Sequence, residues 1–289
     1  MPIKESELIL NPDGSVYHLN LKPEHIANTI LFVGDQNRVE KITQYFDTIE
    51  FSTQKREFKT QTGTYKGKRI SVISTGIGPD NIDIVINELD ALVNIDLETR
   101  TPKEKLTSLE IIRVGTSGSL QNDIPVDSFV LSTHGLDLNG MLHFYQIDKI
   151  TNPSLENEFI EFTNWNSQKA RPLIIENDKG LEEKMESEHT YKGITATAGG
   201  FYGPQGRVLR LPIEDPKLNQ KIDSFSSNGH RISNLEMETS AIYGLSKLLG
   251  HRALSLNAII ANRANGTFSK DPSSIVDQLI KYTLEKLVE

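Results

Sequence analysis

The stretch Glu110-Ile111-Ile112-Arg113-Val114-Gly115-Thr116-Ser117-Gly118 joins an apolar, β-branched run to a glycine-bounded turn. The run predicts a strand over Ile111–Val114, and the glycines let backbone approach a ligand beyond that strand's carboxyl end. The same order recurs at Val33-Gly34-Asp35, Ser74-Thr75-Gly76-Ile77-Gly78 and Thr197-Ala198-Gly199-Gly200. Working outward, strands are expected at Thr29–Val33, Ile70–Ser74, Phe129–Thr133, Ile194–Ala198 and Leu254–Ala261. Helical periodicity marks Asn37–Phe46, Asn81–Val93, Leu155–Asn166, Met237–Leu249 and Ser273–Val288. In the last, Asp271 can cap, Pro272 suits the first position, and Val276, Leu279, Ile280, Leu284 and Leu287 share a face. Strands alternating with helices predict an α/β fold. It is read as one domain over residues 1–289, with surface excursions at 96–108 and 176–192.

Composition narrows the function. The 289 residues carry 31 Lys+Arg against 39 Asp+Glu, a net charge of −8, and no cysteine. That excludes a disulfide scaffold, a thiol nucleophile and a thiolate metal site. No lysine/arginine stripe suits nucleic acid, no apolar stretch suits a membrane span, and Met1–Leu10 lacks the apolar core of a signal peptide. A soluble, cytoplasmic protein is the expectation. Gly76-Ile77-Gly78 lacks the third glycine of a dinucleotide fingerprint, and Gly67-Lys68 lacks the surroundings of a phosphate loop. His134 and His143 follow a strand, where a structural role is the plain reading; no histidine pair has metal-ligand spacing, so no metal is expected.

Three groups of residues carry the chemistry. Arg38 opens a helix just after Gly34, Arg56 precedes Glu57-Phe58, and Arg113 sits inside an apolar strand, where a charge needs an anionic partner. A guanidinium fork suits phosphate; the alternatives are solvated charges at Arg38 and Arg56 and a structural ion pair at Arg113. Glu236 and Glu238, in Asn234-Leu235-Glu236-Met237-Glu238-Thr239, can face one cleft if the helix starts late, as acceptors for a sugar diol. Otherwise they complement a helix dipole. Gly200-Phe201-Tyr202-Gly203-Pro204-Gln205-Gly206-Arg207 sets a flat ring, an amide and a guanidinium on one stiff loop, a match for a uracil edge or an ordinary exposed loop.

These motifs, together with Asn262-Arg263, occur in the order of the nucleoside phosphorylase-I family, which the chain resembles from about Tyr17 onward. The 201–207 loop is similar to the pyrimidine-reading loop of its uridine phosphorylase branch. The resemblance implies a single-domain, three-layer α/β/α sandwich around a mixed, partly barrel-like sheet. It also implies a homo-oligomer, a dimer or hexamer with shared active sites. Phosphate falls to Gly34, Arg38, Arg113 and Thr116, with Arg56 from a neighbouring subunit. Ribose falls to Thr116, Glu236, Met237 and Glu238, with His18 from that neighbour, and the base to Phe201, Gln205, Arg207 and Arg263. Arg113, Gln205, Arg207 and Glu238 form the implied catalytic set. No cofactor is required, phosphate being a co-substrate; an optional structural potassium ion at a dimer interface corresponds to Glu57, Ile70 and Ser74. The implied reaction is pentosyl transfer, uridine + phosphate ⇌ uracil + ribose 1-phosphate. A purine phosphorylase, a nucleosidase of the same fold and a non-catalytic nucleoside binder are the alternatives. Gln36 replaces the family's usual proline, Pro79-Asp80 departs from its Gly-Pro-Ser turn, and Ala261-Asn262 lacks the aspartate of the purine branch.

Overall fold

The computed structural model describes residues 2–289. Its longer strands are β1 (Thr29–Val33), β2 (Thr48–Lys55), β3 (Phe58–Tyr65), β4 (Lys68–Ser74), β5 (Glu110–Ser119), β6 (Phe129–Asp137), β7 (Leu173–Glu176), β8 (Thr190–Thr197), β9 (His230–Glu236) and β10 (Arg252–Asn262). The helices are α1 (Gln36–Thr43), α2 (Pro79–Asn94), α3 (Pro153–Thr163), α4 (Lys179–Met185), α5 (Leu218–Ser224), α6 (Thr239–Leu249) and α7 (Pro272–Val288).

One mixed sheet runs β9-β8-β6-β10-β5-β1-β4-β3-β2, with β7 against β6. β9 also reaches β5, pairing antiparallel at Asn234↔Ser119 and Leu235↔Gly118. That contact closes β5, β10, β6, β8 and β9 into a ring, while β1, β4, β3 and β2 continue as an open wing. The expected partly barrel-like sheet is this arrangement.

Alternation along the strands sets the layers. Ile30, Phe32 and Ile111 face α2 and α6 through Val85, Leu89 and Ile242. Their neighbours Leu31, Val33, Ile112 and Val114 face α1 and α7 through Ile42, Leu279 and Leu284. A third cluster joins α3 and α5 to the ring through Phe159, Ile222 and Ile194. α7 follows its sequence signals: Asp271 accepts from the Ser274 N–H at 3.0 Å, with Pro272 in the first turn.

Two expectations need correction. The 176–192 segment is no surface excursion: α4 lies within it, its N-terminus capped by Asp178, and Leu181 and Met185 are buried in the core. The helix expected from Met237 begins at Thr239, leaving Glu236, Met237 and Glu238 outside it. The 96–108 stretch carries part of a small hairpin, Ile95–Asp96 paired with Thr101–Pro102.

Candidate active site

The carboxyl ends of β1, β4 and β9 meet β5 part-way along its length, at the junction between ring and wing; β5 itself runs on as strand through Gly115–Ser119, where the sequence suggested a turn. Arg113 is buried there at 6% exposure. Its Nη2 donates to Glu238 Oε2 at 2.7 Å and lies 3.3 Å from Glu236 Oε2, while Nη1 donates to Asn257 Oδ1 at 2.7 Å. Burial opposes the charge, but the two glutamates outweigh it and hold the Arg113 pKa above its ordinary value. The guanidinium folds back over Gly115, where an added Cβ would stand 1.8 Å from Nη1. Only glycine leaves that space.

The two carboxylates divide their work. Glu236 Oε2 accepts from the N–H groups of Glu238 and Thr239, at 2.9 and 3.0 Å, and Oε1 accepts from the Thr197 hydroxyl at 2.8 Å. It therefore complements the N-terminus of α6, satisfying donors that a helix start leaves open. Glu238 is less committed, accepting from the Gly78 N–H at 2.9 Å and from Arg113. Burial raises its pKa, Glu236 adding to the effect and Arg113 opposing it. Gly78 holds φ at +100°, a conformation strained for other residues, and Pro79 begins α2 directly after it. Met237 is half-buried between the carboxylates.

Beside this cluster, Arg38 donates to the Val114 carbonyl at 3.3 Å and has no carboxylate within ion-pair distance among the described residues. Burial, then the nearby Arg113 charge, lowers its pKa. Gly34 faces the Gly76 carbonyl, 3.6 Å from where its Cβ would be, so the two glycine turns are adjacent. Thr116 is half-buried on β5. Gln36, the departure from the usual proline, donates to the Arg56 carbonyl at 2.6 Å and ties α1 to the β2–β3 hairpin.

The 201–207 loop leaves β8 next to Glu236, whose carbonyl accepts from the Ala198 N–H at 2.9 Å. Gln205 is buried at 3% exposure and Phe201 is half exposed. The Arg207 guanidinium lies 3.8 Å from the Phe201 ring centre and donates to the Phe201 carbonyl and to Gln205 Oε1. Arg263 lies along Gly118 of β5, with Nη1 buried and unpartnered. Burial lowers the pKa of both arginines, and Arg207 pushes Arg263 further down. Neither has a carboxylate within ion-pair distance among the described residues.

The structure thus brings together Arg113, Glu236, Glu238 and Gly78 in one bonded group, and Phe201, Gln205 and Arg207 in another, with Arg263, just after β10, beside the second. His18 and Arg56 join neither. His18 Nδ1 is 2.6 Å from Glu88 Oε1, and Glu88 also accepts from the N–H groups of His18 and Leu19, at 2.9 and 2.8 Å. Arg56 is exposed at the hairpin tip, 5.9 Å from the Tyr17 ring centre. Both therefore flank Tyr17 on the surface.

The family model for the phosphorylase superfamily matches residues 28–287. The chain belongs to the phosphorylase superfamily. A relative named uridine phosphorylase, from Thermococcus kodakarensis, is 32% identical over 89% of this chain and 81% of its own length. A DeoD-type purine nucleoside phosphorylase from Geobacillus stearothermophilus is 28% identical over 94% of this chain and 98% of its own length. Among solved structures, a Trypanosoma brucei nucleoside phosphorylase described as showing uridine phosphorylase activity superposes with a TM-score of 0.87. It is 31% identical, covering 97% of this chain and 99% of its own.

Among the residues that the resemblance assigns to a potassium ion at a dimer interface, Glu57 and Ser74 touch within one chain. Ser74 Oγ donates to the Glu57 carbonyl at 2.6 Å and accepts from the Lys59 N–H at 2.7 Å. Ile70 lies four residues back along β4, about 13 Å away at strand rise. Asn257, absent from the sequence-based site, was signalled by an asparagine inside the apolar Leu254–Ala261 run. Glu88, 70 residues from its partner, carried no such signal.

Proposed function

We propose that this chain is a uridine phosphorylase, a pentosyltransferase that moves ribose from uridine to inorganic phosphate. The observation carrying this reading is the pair Arg207 and Arg263, two cations without carboxylate partners, beside the buried amide of Gln205. Such donors match carbonyl oxygens that gain negative charge as a pyrimidine leaves. Asn262 supports the pyrimidine reading over a purine. Its Nδ2 donates to the Gln121 and Ile124 carbonyls, both at 2.8 Å, so the side chain braces the turn bearing Arg263.

The chemistry follows from these groups. The C1′–N1 bond breaks with its electron pair staying on the base, and a phosphate oxygen forms the new bond to C1′. Phosphate is already anionic, so no strong general base is needed; positioning and electrostatics supply catalysis. Arg38, with Gly34, Thr116 and Arg113, receives phosphate. Glu238 accepts from the ribose hydroxyls, held in place by Glu236 through the shared Arg113, and Met237 packs beneath the sugar. Phe201 stacks on the ligand. His18, oriented by Glu88, and Arg56 are offered to a neighbouring subunit's site, so the working enzyme is a homo-oligomer. The proposed setting is cytoplasmic nucleoside salvage. No helix among the described residues is long and apolar enough to cross a membrane.

The test is release of free base from uridine, thymidine, inosine and adenosine, with and without phosphate. Uridine should turn over fastest and only with phosphate. Preference for inosine or adenosine, phosphate-independent hydrolysis, or binding without turnover each rejects the assignment.

A further inference from the structure

A second cavity, of about 860 Å³, opens at the amino-terminal ends of β8 and β9, the ends opposite Thr197 and Glu236. Lys149, Lys179, Lys192, Arg231 and Lys247 line it against Glu176 and Glu182, an excess of three positive charges in a chain of net charge −8. Part of that charge is spent. Lys179 and Lys192 bond Glu182 at 3.1 and 2.6 Å, Lys179 also bonds Glu176 at 3.0 Å, and Arg231 bonds Asp123 at 2.7 Å. Lys247 donates only to the Glu176 carbonyl, at 3.0 Å. Neither it nor Lys149 has a carboxylate within ion-pair distance among the described residues. The 11-residue helix α3 begins on the same space, through Asn152 and Pro153, and adds the positive end of its dipole, its Leu155 and Glu156 N–H groups being taken by Asn152.

A second observation is independent of charge. His134, 5% exposed, lines this cavity and stands edge-on to His230, with ring centres 4.9 Å apart. Its single hydrogen bond joins Nδ1 to the Thr133 hydroxyl at 3.1 Å, leaving Nε2 without a partner. Burial, and then His230, lowers its pKa to about 4, so it is a neutral imidazole. A ring nitrogen with no protein partner, on a residue that lines the cavity, is free to exchange one hydrogen bond with a ligand there.

We propose that this cavity binds a small phosphate monoester of sugar-phosphate size, with the phosphate between Lys149, Lys247 and the start of α3 and a ligand hydroxyl on His134 Nε2. The volume lies within the range of small-molecule sites. The probe is ribose 5-phosphate, titrated calorimetrically into the intact protein, with ribose and inorganic phosphate as comparisons. The wild type should bind ribose 5-phosphate and should not bind ribose. Lys149→Ala/Lys247→Ala should weaken binding by about tenfold or more, and His134→Phe should weaken it with the lysines intact. The double variant should keep its thermal midpoint and base-release kinetics. No binding by wild type overturns the proposal. So does undiminished binding by the double variant, which would put the ligand at the Arg113 site. Inorganic phosphate binding here as tightly as the monoester also overturns it.

Discussion

Gly115→Ala is the sharpest single-atom-group test of the Arg113 cluster. The new Cβ would stand 1.8 Å from Nη1, 2.3 Å from Cζ and 2.8 Å from Nη2 of Arg113. The obstruction is the end of a flexible side chain, so backbone need not move; the guanidinium must leave. It then gives up Asn257 at 2.7 Å, Glu238 at 2.7 Å and Glu236 at 3.3 Å. Breaking a buried pair so that charge is left uncompensated costs about 3–5 kcal/mol. At about 2–4 °C per kcal/mol for a large domain, the thermal midpoint should fall by roughly 6–20 °C. Phosphorolysis should lose about two decades or more in kcat/KM, since a cation and the orientation of Glu238 go together. Calorimetric melting and steady-state kinetics across phosphate concentration measure both. A variant that melts with wild type and keeps its kcat/KM would refute the placement of Arg113 over Gly115.

Arg207→Ala should lower kcat/KM for uridine by about 10–1000-fold while leaving the KM for phosphate near wild type; unchanged uridine kinetics would remove Arg207 from the base site. Glu238→Gln should raise the KM for uridine and, because Arg113 Nη2 is shared, also shift phosphate affinity; a calorimetric phosphate Kd equal to wild type would break that coupling. His134 supplies a pH limb. Its pKa is lowered from 6.5 to about 4, so below 6.5 the unfolded chain binds the proton first. Stability from this group is full above pH 6.5 and declines toward pH 4, by about 3 kcal/mol. His134→Phe should flatten melting midpoints between those pH values, and an unaltered slope would exclude His134 as its source.

Legibility in the sequence followed the source of each element's stability. β1 is buried on both faces, so its apolar run coincided with the strand, Thr29–Val33. β2 escaped notice because Thr-Ile-Glu-Phe-Ser-Thr-Gln-Lys is largely polar and mostly exposed; in β3, buried Thr60 and Thr62 stand where apolar residues mark other strands. β9 escaped for the opposite reason. Its Ser233 and Asn234 are buried, but a polar network holds them, with Asn234 Oδ1 accepting from Thr195 at 2.8 Å and Nδ2 donating to Ser117 at 2.8 Å. Hydropathy reads such residues as loop. At the site, Arg113 was legible because a cation in an apolar strand demands a partner, but which partner depended on where α6 begins. Starting at Thr239, it turns both carboxylates toward one guanidinium.

That sharing has a consequence for catalysis. Within one chain, Arg38 and Arg113 balance Glu236 and Glu238 in formal charge, and in the proposed oligomer a neighbouring Arg56 adds one cation at the phosphate end. Arg207 and Arg263 lack such compensation, and in the proposed reading they face the base. Phosphorolysis moves negative charge from the attacking phosphate toward the departing base. Uncompensated cations where that charge arrives favour the transition state over the bound reactants, which is the difference a rate acceleration requires. On the proposed reading the site acts on kcat through Arg207 and Arg263, and a substitution there that altered only the KM for uridine would contradict this placement of charge.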